Sequence, residues 1–450
     1  MILVITLSKT IMKKNLIYFS LFVFAGLVAS CSDDDEKYTP IPPVVSIENT
    51  SGTLSVAQED TLYFKANIES PIESSFQWSV NGKEASTDSI LKFTSEEMGK
   101  FEIALTAKNA DGEHSATTSV EVYGKYKYGT FVLNEGSSSN GTLIFISPKG
   151  GITDSIYYKA NGSFLGGVSQ DLFIANNKMY IVSQNGGGDG FLVIANAETL
   201  KKEVGYQDEL KTTLSWPTHI AVLGENDIYL RDNNGVSLFN PSSKTVTFIK
   251  GTEGARKNRM AVADNKVFAS TNSKTIVTIE TGKDTISHTI EFDDAISGLI
   301  KASDGNLWVS SGKKIMKINA KDYSVMQENE VEPFSSISYL STPAISAKGD
   351  TLYFSGGTTK IYRHVFSKNQ TDFMVDASTM VDNTNYVYNN LAVNPVSGEV
   401  VLNTIGDYKN YDETNNISFF DFSGSEPKLS ANYIGHTRFP AGIFFTYDFE

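Results

Sequence analysis

Cysteine is almost missing from this chain of 450 residues: Cys31 is the only one, so no intramolecular disulfide can form. Tryptophan occurs three times and histidine five times. The histidines, His114, His219, His288, His364 and His436, stand isolated, with none of the paired spacing of a metal site. No G-x-S-x-G, H-E-x-x-H or P-loop pattern occurs, which leaves no catalytic residue to nominate and calls for no metal and no cofactor. Arginine is scarce and lysine far commoner. Beyond residue 28 no apolar run reaches membrane length. Positive charge is also in deficit. Against 52 acids stand 38 bases, a net charge of -14, which argues against nucleic acid and against electrostatic docking on anionic lipid.

The N-terminus is different in kind. Lys13 and Lys14 precede an apolar stretch over residues 16–28, closed by the small residues Ala29 and Ser30. A basic region, an apolar core and a small-residue site make a secretory signal, and 13 residues are too few for a comfortable bilayer span. Met12 fits as a start as well as Met1. The stretch then reads V-A-S-C-S-D-D-D-E over 28–36. V-A-S-C resembles a bacterial lipobox, and the resemblance implies cleavage before Cys31 and lipidation of that residue. Several acyl chains on one residue anchor a protein stably where one would not. The acids that follow resemble the tag that sends some lipoproteins across the outer membrane. Surface display is expected, with the inward-facing leaflet as the alternative. Removing residues 1–30, which carry Lys9, Lys13 and Lys14 and no acid, takes the net charge from -14 to -17.

The rest of the composition favours β structure: 11% aromatic residues, mostly Tyr and Phe, and 35 glycines for turns. Residues 31–43 read as an acidic, proline-rich tether, with K-Y-T-P-I-P-P a stiff spacer. Residues 44–124 then show short alternating strands at 61–67, 75–80, 99–109 and 116–123, with Asn81-Gly82 and Asp111-Gly112 as hairpin turns. Trp78 falls mid-strand, where a sandwich would bury it. This segment resembles the PKD-like, immunoglobulin-type modules of bacterial surface proteins, whose role is spacing or contact.

From residue 126 to 450 a unit recurs: a strand with an aromatic or branched residue, a polar turn, and a second strand. Aligned on Phe131, Tyr180, Tyr229, Phe268, Trp308, Tyr353 and Val401, the spacings are 49, 49, 39, 40, 45 and 48 residues. That is the length of a four-stranded propeller blade. Six units are preceded by a short apolar strand: D-L-F-I-A at Asp171, H-I-A-V-L at His219, M-A-V-A at Met260, S-G-L-I-K-A at Ser297, P-A-I-S at Pro343 and N-L-A-V at Asn390. The first unit lacks one, and P-A-G-I-F-F over 440–445 supplies it from the far end. The expected architecture is therefore all-β: a small sandwich, then a seven-bladed propeller closed by the C-terminal strand, which leaves no sheet edge open. One blade more or fewer stays an alternative.

In such a ring, the turn before each innermost strand and the turn after the next strand crowd around the axis, where ligands bind. Those positions give the candidate site: Trp216, His219, Arg231, Arg256, Arg259, Tyr386, Tyr388, Asn390, Tyr408, Tyr411, Arg438 and Phe439. Aromatic side chains offer large contact area at low entropic cost, and arginines offer paired donors to carboxylate, phosphate or amide groups. Four of the scarce arginines fall here. Asp407, Asp412 and Glu413 share one loop but match no calcium-binding spacing.

F-V-L-N-E-G (131–136) and the D-L-F-I-A-N-N-K-M-Y-I-V run ending at Val182 resemble the YncE-like or surface-layer-like propeller lipoproteins, among them a family known only as a domain of unknown function and often preceded by a PKD-like module. Related propeller lipoproteins include surface cobalamin-binding proteins and others that capture ferric siderophores. No ligand-contact residue carries over position by position. The resemblance implies a non-enzymatic, surface-exposed outer-membrane lipoprotein. It would bind a small nutrient, with a corrinoid as first expectation, and deliver it to an outer-membrane transporter of the TonB-dependent type. An adhesion or protein-interaction scaffold is the second reading, and a propeller enzyme of lyase or lactonase type the third.

Overall fold

A computed structural model describes residues 38–137, 140–272, 274–331, 344–389, 391–410 and 413–449. The signal segment, Cys31 and the acidic run lie outside these, as do Asn390, Tyr411, Asp412 and residues 332–343.

The first part is a two-sheet sandwich. One sheet orders Val44–Asn49, Leu62–Glu69 and Ile90–Phe93; the other orders Ser55–Ala57, Gly112–Tyr123, Gly99–Asn109, Ser75–Val80 and Lys83–Ser86. Asn81 and Gly82 adopt φ of 48° and 74°, the left-handed pair that a two-residue hairpin needs. Trp78 is fully buried among Phe64, Ile103 and Leu105, and its indole N–H donates to Asp88 O at 2.9 Å, so burial leaves its polar atom satisfied.

Among the described residues, seven further sheets follow. Each orders a short strand, two central strands and an outer strand. The first places Pro440–Phe445 beside Thr130–Ser137, then Asn140–Ile146 and Ile152–Thr153. The second runs Gly167–Ala175, Lys178–Gly186, Leu192–Asn196, Lys202–Tyr206; the third His219–Gly224, Asp227–Arg231, Val236–Asn240, Thr245–Phe248. The fourth runs Ala261–Ala263, Lys266–Ser270, Thr275–Glu280, Ile286–Glu291; the fifth Ile296–Lys301, Leu307–Ser311, Lys314–Ile318, Val325–Glu330. The sixth runs Ser346–Lys348, Thr351–Phe354, Lys360–Val365, Gln370–Asp376. In the seventh, two fragments, Tyr386–Val387 and Ala392–Val393, share the edge of Val400–Ile405, followed by Asn415–Asp421 and Lys428–Ile434.

Apolar clusters join neighbouring sheets. Phe131 and Phe444 pack with Leu172 and Ile181 between the first and second; Val401 and Ile417 pack with Val132 and Ile443 between the seventh and first. This is an all-β architecture of many four-stranded sheets, consistent with a propeller. Two details differ from the strands expected. The sixth short strand begins only at Ser346, the last residue of P-A-I-S, and Ala344 donates its N–H to Ser297 O of the fifth sheet at 3.2 Å. Tyr386, expected in a loop, belongs to a strand fragment, and Asn389 at φ 60° stands between the two fragments.

The sheets have two distinct ends. At the turn end lie tight hairpins such as Asn176-Asn177 (φ 51° and 59°) and Asp264-Asn265 (φ 47° and 56°). At the loop end the short strands begin and the second strands finish. The sandwich joins at the turn end: Gly124 N donates to Glu198 Oε2 at 2.7 Å, and Lys149 pairs with Asp60 at 2.8 Å. A Cβ on Gly124 would sit 2.2 Å from that of Glu198, so only glycine allows this approach. No helix among the described residues is long and apolar enough to cross a membrane.

Candidate ligand-binding end

The loop end gathers charge and aromatic surface. His219 is buried at the start of its strand, with Nδ1 2.9 Å from Thr218 Oγ1. Burial, reinforced by the positive charge of Arg231, Arg259 and Lys257, holds its pKa well below the usual histidine value, so it stays neutral. Arg231 is buried too. Its Nε and Nη2 donate to Ala255 O at 3.1 and 2.8 Å, and its Nη1 donates to Thr218 Oγ1 at 3.0 Å. No carboxylate lies in that set, and burial lowers its pKa to about 10. Lys257 is reached by solvent yet crowded by protein; burial lowers its pKa, Glu135 opposes and Arg231 assists.

Glu135 links this cationic group to an aromatic one. It accepts a hydrogen bond from Tyr388 Oη at 3.2 Å, and burial together with that carboxylate raises the Tyr388 pKa. Tyr388 lies 5.4 Å from Phe439, centroid to centroid, and the exposed pair Tyr386 and Tyr408 lies at 4.8 Å. Phe439 at φ 54° and Trp216 at φ 55° occupy the left-handed region, strained for bulky residues and a mark of sites under functional constraint.

Of the twelve candidates, His219, Arg231 and Arg259 form one electrostatic group, and Tyr386, Tyr388, Tyr408 and Phe439 one aromatic group. Trp216 is 60% exposed, so it does not fill a gap between sheets. Arg256 is half-buried, with its N–H donated to Ser270 O at 2.9 Å. Arg438 is exposed and lines a side cavity of about 410 Å³ with Asn134 and His436. Asn390 and Tyr411 lie outside the described residues.

A larger cavity, about 650 Å³, follows the axis from Arg259 and Asp171 to the turn end, and residues from the short strands of all seven sheets line it. Of the ten described candidates it takes Arg259 alone. Arg259 Nε stands 3.3 Å from Asp171 Oδ1, and its guanidinium lies 4.1 Å over the Phe444 ring. A Cβ on Gly442 would meet Arg259 Nη2 at 2.2 Å, so glycine is what admits the guanidinium there. Asp171 is fully enclosed. Burial pushes its pKa up to about 6 while Arg259 and the Ile220 N–H, donating to Oδ2 at 3.1 Å, pull it down. Among the described residues no cluster of three His, Cys, Asp or Glu is placed to hold a metal ion.

Residues 128–446 match the family described as Domain of unknown function (DUF5074), and the chain belongs to it. Residues 42–109 match the PKD-like domain. No curated protein sequence matches this chain. Among solved structures, a quinonprotein alcohol dehydrogenase-like protein from Bacteroides thetaiotaomicron is similar at 18% identity. That likeness covers 89% of this chain and 99% of that one, with a TM-score of 0.52, and it shows the fold alone. The computationally designed protein Ika8 is similar at 13% identity over 69% of this chain and 89% of that one, TM-score 0.43.

Proposed function

We propose that this protein is a surface-exposed outer-membrane lipoprotein that binds a small nutrient at the loop end of a seven-bladed propeller and passes it to an outer-membrane transporter. The observation that carries the reading is the convergence, at one end, of an exposed tyrosine pair, a second aromatic pair and the Lys257, Arg231 and Arg259 charges. Flat, ring-bearing ligands stack on such aromatics, while amide, carboxylate or phosphate groups accept from the cations. A corrinoid carries both features and is the first ligand to try. The blade count is supported by the seven sheets, and closure by the Phe444↔Phe131 pairing of the last strand with the first sheet.

The reading has a direction as well: with the sandwich at the turn end, a lipid on Cys31 would leave the loop end facing away from the membrane. The scaffold reading expects a flat, filled axis, which the cavity of about 650 Å³ does not offer. The test is calorimetric titration with cobalamin and cobinamide, beside the Tyr386→Ala/Tyr408→Ala double variant. Micromolar binding that the double variant weakens supports the site; no heat and no thermal shift at micromolar ligand ends the corrinoid version.

A further inference from the structure

Past the closing strand, Thr446–Phe449 forms a short 3-10 turn against the turn end of the axial cavity. The turn is held along its length. Gly129 N donates to Thr446 Oγ1 at 3.0 Å, Tyr447 stacks on Tyr128 at 5.6 Å, and Phe449 packs edge-on against Phe173 at 5.2 Å. Between these anchors Asp448 joins the cavity lining.

Asp448 is the carboxylate of that lining with no partner of its own among the described residues. Arg259 and Asp171 pair with each other, and Lys348 Nζ donates to Val396 O at 2.6 Å. Lys301 reaches the lining from the fifth sheet. The first, third and seventh sheets contribute no charge to it, only residues such as Ile220, Leu391 and Ile443. Asp448 has no hydrogen-bonded or ion-paired partner among the described residues, although water reaches it. The walls crowd it all the same: burial pushes its pKa up to about 7, with Arg259 opposing. An unpaired carboxylate that faces a cavity while still open to water is available to a ligand, and such groups are candidates for sites of function.

We propose that the axial cavity is a second binding site, for a small organic cation whose amine or guanidine head sits on the Asp448 carboxylate and whose apolar body lies along the short strands. The volume is that of small-molecule sites. A bare metal ion is disfavoured, since among the described residues no group of three His, Cys, Asp or Glu is placed to hold one. At the Asp448 end an anion would meet a carboxylate, and the one guanidinium of the lining is already paired with Asp171.

The test uses the whole lipid-free chain with tryptamine, phenethylamine and agmatine as probes, followed by ligand-observed NMR and calorimetry, with indole-3-propionate as the matched anion. At least one amine binds saturably and the anion does not. Below about pH 7 affinity falls roughly tenfold per pH unit as the carboxylate takes its proton. Asp448→Asn lowers affinity about tenfold or more, whereas Tyr386→Ala at the loop end leaves it unchanged. The proposal is overturned if none of the three amines binds at millimolar concentration, if Asp448→Asn binds equally well, or if the anion competes as strongly. An affinity in the wild-type chain that stays constant from about pH 6 to about pH 8 overturns it too, whatever the variant does.

Discussion

The sandwich and the propeller-like region bury their strands in different ways. In Leu62–Glu69 of the sandwich, Leu62 and Phe64 are buried while Tyr63 and Lys65 face water, because only one side of the sheet meets the core. In the ring, every residue of Leu307–Ser311 and of Val400–Ile405 is buried, because each sheet is packed on both faces by its neighbours. Polar residues separate the two regions further. Among the described residues the sandwich buries one polar side chain, Asn109, whereas the ring buries Asp171, His219, Arg231, Asp232 and Asn258 among many. A sandwich needs only to exclude water from one interface. The packed sheets also border a cavity of about 650 Å³, and buried polar groups are tolerated only where hydrogen bonds or water satisfy them.

The largest expected effect breaks the ring and spares the sandwich. Truncation after Phe439 removes the strand that pairs with Thr130–Ser137 and the residues Ile443 and Phe444 from two interfaces. Hydrogen exchange should then show lost protection across the ring and intact protection in the sandwich; a ring that stays protected would refute the closure reading. Next comes Trp78→Ala, which should cost the sandwich about 3–5 kcal/mol through the cavity it leaves. A separate melting transition for the ring, unchanged in temperature, is the expected calorimetric result.

A smaller effect is set by pH. The Asp448 pKa is raised above its unfolded value, so the folded state holds the extra proton and its stability falls as pH rises through about 4 to 7. Asp171, raised to about 6, acts in the same direction, while neutral, buried His219 acts in the opposite sense below its unfolded pKa. Asp448→Asn should therefore raise the melting temperature more at about pH 8 than at about pH 5. An equal change at both would show that Asp448 does not titrate in the folded cavity. The smallest effect is Lys149→Ala, which removes an exposed pair across the sandwich–ring contact and should change stability by about 0–1 kcal/mol, less at high salt.

Much of the strand order could be read from the chain. Gly99–Asn109, Ser75–Val80 and Pro440–Phe445 begin and end where alternation and turn residues place them. The seventh sheet was harder, since its split inner edge depends on Asn389 at φ 60° donating to Pro440 O and Ala441 O at 2.7 and 3.0 Å, contacts more than 50 residues away in the chain. At the loop end, sequence position named the aromatics and arginines but not their states. Arg231, which ends a second strand, and Trp216, which precedes a short one, both stand at the loop end, yet Arg231 is buried on Ala255 O and Thr218 Oγ1 while Trp216 is open to solvent. Asp448 went unnoticed because an acid in a terminal T-Y-D-F run carries no local signal.

By itself, the sequence determined the chain's β character, the small module ahead of the repeat, the spacing of the repeat and the offset of its last strand. All of these follow from local patterns of apolar and turn residues, which each strand must satisfy wherever it packs. Only the tertiary structure decided which groups meet: Arg259 with Asp171 and Phe444, Tyr388 with Glu135, and Asp448 with the cavity. Those outcomes depend on distance and burial between residues far apart in the chain, and electrostatic energy is set by both, not by order along the backbone.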